Sequence, residues 1–282
     1  MMKKTWFITG CDSGMGYAVA EVVLERGDQV VVTALNLDNV KEILAKFPDT
    51  TIGFQLNVTN PVQVNEVVNN AIKHFGKIDV LFNNAGYGII GAAEESTEQE
   101  YRPMFEVNFF GLASVTKAIV PHMRKNKSGV IFNTSSLGGY AASPGFAFYA
   151  ASKFAVEGFT DALAQELKAF GINVLLIEAG SFRTKFAGTS LKKQLNPILE
   201  YEDTVVGTTF ARMRSRDGTQ PNDPEKLGEV LFELSRKDEF PLRLPLGEDA
   251  LKRVTEKAKS SLKEFETWKD VALSVGFDQS LN

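Results

Sequence analysis

Several common protein chemistries have no residues to work with in this sequence. Cys11 is its one cysteine, so no intramolecular disulfide can form and no cysteine cluster can hold a metal. The two histidines, His74 and His122, sit in polar stretches, where a structural or solvated role outweighs a ligand role. No Cys/His metal pattern exists, and the metal expectation is none. No apolar run approaches the about eighteen residues that a membrane-spanning helix needs. Residues 1–4, Met-Met-Lys-Lys, lead into an apolar segment too short for a signal peptide, so a cytoplasmic location is expected. Net charge is -4, and no Lys/Arg stripe with interleaved aromatics appears, which argues against nucleic acid as a main partner. Repeats, low-complexity tracts and domain linkers are also missing.

What is present is an ordinary globular composition, 44% hydrophobic and 23% charged over 282 residues. That length suits one large α/β core. Residues 5–9 read as a buried strand. Gly10-Cys11-Asp12-Ser13-Gly14-Met15-Gly16 follows, then a helix to about residue 26 that Gly27 stops, then a second strand at 29–34. Strand, glycine loop, helix and strand in one short unit is the setting of a dinucleotide fingerprint. Its spacing is Gly-x-x-x-Gly-x-Gly. Glycines let backbone approach a pyrophosphate, and the helix start offers free N–H groups and a positive dipole end. Cys11 reads as a small filler in that loop.

The alternation continues. Strands are expected at 51–56, 79–82, 129–134 and 172–178. Helices are expected from Pro61 to Phe75, over 97–125 with Asn108 in its middle, and over 148–170. This implies a doubly wound parallel sheet, a Rossmann fold, whose strand ends share one crevice. Gly10 to Gly16, Asn57, Asn84, Ser136 and Gly180 all follow strand ends. Residues 181–222 lose the regularity and read as a substrate lid. A helix at 223–236 and a short last strand at 242–247 complete a single domain, residues 1–247. Residues 248–282 form a helical extension, with a charged amphipathic helix at 248–275 packed on the body surface. It is expected to cover part of the crevice or to block an oligomer interface.

Tyr149 and Lys153 are four apart on one helix and share a face. An ammonium near a phenol stabilises the phenolate and lowers its pKa. A hydroxyl from Ser136 can bond the oxygen that exchanges the proton. Taken singly these residues have bland readings: a solvated helix face, a cap at Ser136, a polar kink at Asn108.

Together, Thr9-Gly10-x-x-x-Gly14-x-Gly16, Asn83-Asn84-Ala85-Gly86, Asn108, Ser136 and Tyr149-x-x-x-Lys153 resemble the short-chain dehydrogenase/reductase family over about residues 3–247. The resemblance implies an NAD(P)-dependent oxidoreductase that moves a hydride between a nicotinamide cofactor and a ketone, aldehyde or secondary alcohol. Tyr149 would be general acid/base. Lys153 would lower its pKa and bond the nicotinamide ribose, Ser136 would orient the substrate oxygen, and Asn108 would hold a relay water. Gly10, Ser13, Gly14, Met15, Gly16, Asn36, Asn57, Val58, Asn84 and Gly86 would contact cofactor, with Phe182 and Thr184 near its amide. Ala179 stands where the family usually has proline, which weakens the last two assignments.

At the end of the second strand, Ala34 fills the position of the acid that selects NAD, and no acid follows until Asp38. The arginine of many NADP members is absent too, with Leu35 in its place. Ser13 and Asn36 can bond a 2′-phosphate, so NADP is favoured and NAD stays open. Tyr87, Phe146, Phe148, Phe182 and Phe186 suggest a bulky apolar substrate or, equally, core packing. A hydroxysteroid or lipid-alcohol dehydrogenase is the alternative enzyme, and a dinucleotide-sensing binding protein the alternative outside catalysis. The family habit of pairing through the two long helices implies a homodimer or homotetramer.

Overall fold

The structure is a computed structural model that describes residues 3–239 and 241–277; positions 278–282 of the expected extension lie outside them. The strands are β1 (Thr5–Ile8), β2 (Gln29–Ala34), β3 (Thr51–Gln55), β4 (Val80–Asn83), β5 (Gly88–Ile90), β6 (Gly129–Thr134), β7 (Ile172–Ala179), β8 (Leu191–Lys193) and β9 (Arg243–Leu246). The helices are α1 (Gly14–Glu25), α2 (Lys41–Lys46), α3 (Pro61–Phe75), α4 (Glu98–Phe105), α5 (Leu112–Asn126), α6 (Ala147–Lys168), α7 (Val205–Ser215), α8 (Pro224–Leu234), α9 (Glu248–Thr267) and α10 (Lys269–Leu273).

Seven strands form one sheet in the order β3-β2-β1-β4-β6-β7-β9, with every pairing parallel. Strand order reverses between β1 and β4, which opens a crevice beyond their carboxyl ends. Both sheet faces are covered, so the strands read as unbroken apolar runs. In β1, Trp6 and Ile8 enter the core under α1 and α8, while Phe7 enters the opposite core with Val64, Ile119, Met123 and Leu163. Gly228 lets α8 press on α1, since a Cβ there would meet Val22 Cβ at 2.8 Å.

The expected helix over 97–125 is interrupted. Glu106–Gly111 is a π-helical turn between α4 and α5, and Asn108 lies in it. Such a turn inserts one extra residue and rotates the following helix, which a count based on a period of 3.6 passes over. The small sheet of β5 and β8 was not foreseen, and β8 builds the lid into the body. The lid also contains a 3-10 turn, Leu199–Tyr201, and α7. Two carboxylates on the body hold its backbone: Leu195 N–H donates to Glu100 Oε1 and Ile198 N–H to Glu95 Oε1, each at 2.8 Å.

The extension is α9 and the short α10. Asp249 in its first turn accepts from Ser181 N–H at 2.8 Å and from Asn222 Nδ2 at 2.9 Å. One turn on, Arg253 donates to the carbonyls of Ala141 and Ala142 at 3.1 and 2.8 Å. Packing on the body is limited to this beginning, because Leu262, Phe265, Trp268 and Phe277 are all exposed.

Candidate active site

A cavity of about 740 Å³ lies along the carboxyl ends of β1, β2, β4, β6 and β7. At one end the glycine loop enters α1. Gly10 has φ 70° and sits so close to β4 that a Cβ would meet Ala85 Cα at 2.8 Å. Gly16 faces the Gly10 carbonyl, which a Cβ would approach to 2.4 Å. Ser13, at the N-cap of α1, makes no capping hydrogen bond, and no acid occupies the first turn. Exposed N–H groups at a helix start, without a protein anion, form an anion site. The loop therefore fits a dinucleotide pyrophosphate. Ser13, Gly14 and Met15 line the cavity, whereas Gly16 stands behind the wall as a packing residue. Thr184 crosses from the lid base, 3.2 Å from where a Gly14 Cβ would be. Phe182 also lines the wall, and its backbone pairs with Asn222.

Asn84 lines the cavity while its amide nitrogen donates to the Thr9 and Gly10 carbonyls, both at 3.0 Å. Those bonds staple β4 to the glycine loop. Asn57, Val58 and Gly86 line the wall as expected, and Asn36 lies at the end of β2. One premise of the sequence reading fails there. A carboxylate does stand at that end, and it comes from the glycine loop. Asp12 Oδ2 accepts from Leu35 N–H at 2.9 Å, and Asp12 Oδ1 from Asn36 N–H at 3.0 Å.

Deeper in, Tyr149, Lys153 and Ser136 meet at the cavity wall. Ser136 caps the turn Leu137–Gly139, its Oγ accepting from Gly138 N–H at 3.1 Å, so the cap reading and the site reading both apply. The Tyr149 ring is half-buried against Phe146 and Phe186. Loss of water raises its phenol pKa, and a hydrogen bond with Ser136 draws it back only in part. Lys153 is buried and donates to the Thr134 carbonyl at 2.8 Å, with Nζ 6.0 Å from the Tyr149 ring centre. Burial lowers its own pKa to about 8, against the opposing charge of Glu157. The ammonium is engaged by backbone here, and desolvation is the largest influence on the phenol.

Asn108 is buried behind this group and does not line the cavity. Its Oδ1 accepts from Tyr87 N–H at 3.0 Å, while its Nδ2 donates to the Tyr87 carbonyl at 2.9 Å and to Ser152 Oγ at 3.1 Å. With both amide hydrogens used, the side chain braces the turn after β4 against α6.

A buried charge cluster behind Lys153 escaped the sequence reading. Arg243 Nε lies 3.2 Å from Glu157 Oε2 and 3.9 Å from Glu178 Oε1. Both Glu178 oxygens lack a hydrogen-bond donor. Burial first, and the Glu157 charge second, raise the Glu178 pKa to about 7. Its place before Ala179-Gly180 at a strand end was the available signal.

Tyr87, Phe146, Phe182 and Phe186 line the cavity. Phe148 does not: it turns away to stack on Tyr101, with ring centres 4.0 Å apart. Met213 joins the cavity wall, and Ile90, Leu191 and Phe210 pack in the same apolar cluster as Phe146, Tyr149 and Phe186.

Comparisons with known proteins agree with this geometry. Residues 4–195 match the family described as short chain dehydrogenase. Oxidoreductase BOA17 of Botryotinia fuckeliana is 36% identical over 274 residues, covering 97% of this chain and 99% of the relative. The 3-ketodihydrosphingosine reductase of Bacteroides thetaiotaomicron is 36% identical over 253 residues, covering 88% of this chain and 89% of its own. The crystal structure of a short-chain dehydrogenase from Streptomyces avermitilis superposes with a TM-score of 0.92 at 36% identity, covering 98% of this chain and 100% of that one. With its parallel sheet, glycine loop and Tyr149–Lys153 pair, the chain belongs to the short-chain dehydrogenase/reductase family of nicotinamide-dependent oxidoreductases.

Proposed function

We propose that the chain interconverts a ketone or aldehyde and the corresponding alcohol, with Tyr149 as general acid/base. The observation that carries this reading is one continuous cavity. Its outer end is the uncapped start of α1, and its inner wall holds Tyr149, Ser136 and Lys153. When bound, the nicotinamide supplies or accepts the hydride. Tyr149 donates its phenolic proton to the carbonyl oxygen in reduction and removes it from the alcohol in oxidation. The Ser136 hydroxyl holds that oxygen in reach of the phenol. Lys153, still charged below about pH 8, would hold a ribose hydroxyl of the bound cofactor. It also counters the negative charge that develops on the phenolate. Asn108 acts as a positioning residue, through Tyr87 and Ser152, in place of the water-holding role that the resemblance implies.

The apolar wall of Phe146, Phe186 and Met213 favours a bulky substrate. The reductase from Bacteroides thetaiotaomicron, named for a long-chain ketone, supports a lipid-alcohol dehydrogenase as the second reading. Residues 1–247 act as the catalytic domain, with 181–222 as its lid and 248–282 as an extension. The protein is proposed to be cytoplasmic and to form a homodimer or homotetramer through α5 and α6. Phe110, in the turn just before α5, and Phe154, on α6, are 53% and 48% exposed. Turnover of carbonyl compounds graded from short aldehydes to steroid and long-chain ketones, with NADH and with NADPH, tests the function. Reduction that improves with apolar bulk supports it. Cofactor binding without turnover of any compound refutes it in favour of a dinucleotide sensor.

A further inference from the structure

The end of β2 is where a short-chain dehydrogenase meets the adenosine ribose, so its chemistry decides between a 2′-hydroxyl and a 2′-phosphate. In this chain β2 itself brings no charge: it ends in Ala34, with Leu35 and Asn36 following. The charge arrives from the other side. A bond from Cys11 N–H to the Thr33 carbonyl at 2.8 Å holds the glycine loop on β2. The next residue, Asp12, then lays its carboxylate over the strand end. Leu35 N–H, Asn36 N–H and, more loosely, Asn39 Nδ2 at 3.3 Å all point at it.

We infer that Asp12 is the cofactor-selectivity residue of this chain, and that it selects NAD over NADP. Two backbone N–H groups at a strand end are the donors a 2′-phosphate would use, and here a fixed carboxylate already occupies them. Each carboxylate oxygen can accept more than one hydrogen bond. Oδ2 has one donor, so it retains an acceptor site for a ribose 2′-hydroxyl. A 2′-phosphate would meet like charge, and the glycine loop, β2 and the turn after it bring no cation to offset it. Among the described residues that line the cavity, the cations are Lys153 on α6 and Lys185, Lys192 and Arg216 within the lid; none comes from the glycine loop, β2 or the turn after it. The expectation of NADP rested on the absence of an acid near Ala34, and the fold supplies that acid from twenty-three positions upstream of Leu35.

This inference rests on the oxidoreductase reading, and equilibrium binding separates the two. The apo protein is titrated with NADH and with NADPH, following nicotinamide fluorescence, and NADH is then displaced with 5′-ADP and with 2′,5′-ADP. The wild type is expected to bind NADH about tenfold or more tighter than NADPH, and 5′-ADP correspondingly tighter than 2′,5′-ADP. Asp12→Asn is expected to narrow the dinucleotide ratio by about tenfold, weakening NADH and strengthening NADPH. Wild-type NADPH binding as tight as NADH overturns the assignment, whether or not the variant folds. A folded Asp12→Asn protein with the wild-type ratio also overturns it. Binding of neither dinucleotide defeats the oxidoreductase reading as well.

Discussion

Lys153 and Glu178 both feel the charge of Glu157, and burial shifts their titrations in opposite senses. Burial lowers the lysine to about 8 and raises the carboxyl to about 7. For Glu178 the folded pKa lies above its ordinary 4.5. The folded protein therefore holds a proton that the unfolded chain has released between those values. Its contribution to stability is fully present below 4.5 and is lost as pH rises through about 7. Thermal melting at pH 5 and pH 8 should show a larger drop in Tm for wild type than for Glu178→Gln, which carries no ionisable group there. Equal drops would remove Glu178 from the account. Residues of this kind are poorly legible in a sequence, because the partner that defines them, Arg243, comes from the last strand. Tyr149, Ser136 and Lys153 were legible because helical spacing and strand ends place them by local rules. The state of the tyrosine was not, since it depends on how far the fold desolvates the phenol and on the hydrogen bond that engages Lys153 with the Thr134 carbonyl.

At the scale of elements, the carboxyl ends of β6 and β7 are tied together by the first turns of α9. Asp249 holds the corner after β7, and Arg253 holds the loop between Ser136 and Tyr149 through two carbonyls. Desolvation opposes the Asp249 charge, but hydrogen bonds from Asn222 and Ser181 outweigh it and lower its pKa. This tie is therefore fully present above the ordinary carboxylate value and is lost only as pH falls through the lowered folded value. Arg253→Ala should lower kcat about tenfold while leaving dinucleotide Kd nearly unchanged, since a loosened loop misplaces Ser136 and not the glycine loop. Wild-type kcat in this variant would reduce α9 to a surface addition. The sequence announces α9 by its amphipathic pattern, yet says nothing of which two loops its first turns reach. The same holds for β5 and β8, three residues each and widely separated, whose pairing no periodicity reveals. The π-turn at Glu106–Gly111 is hidden for a related reason: one inserted residue leaves the apolar pattern on either side intact.

For the molecule as a whole, alternating strands and helices fix the doubly wound sheet, and the switch between β1 and β4 fixes where the cavity lies. Its two ends differ in charge, with Asp12 at the adenosine end and cations on the lid and α6. Phe110, just before α5, and Phe154, on α6, are exposed apolar side chains at the proposed interface with a second copy. Phe154→Glu should shift solution mass toward the monomer, and an unchanged mass would move the interface elsewhere. The central claim is proton transfer by Tyr149 inside a dinucleotide site. The measurement that addresses it most directly compares wild type with Tyr149→Phe in two readouts, NAD(P)H affinity and the single-turnover rate of carbonyl reduction. The account expects affinity to stay within about threefold and the rate to fall by about 10²–10⁴-fold. A variant that binds cofactor normally and reduces the carbonyl at the wild-type rate would contradict it.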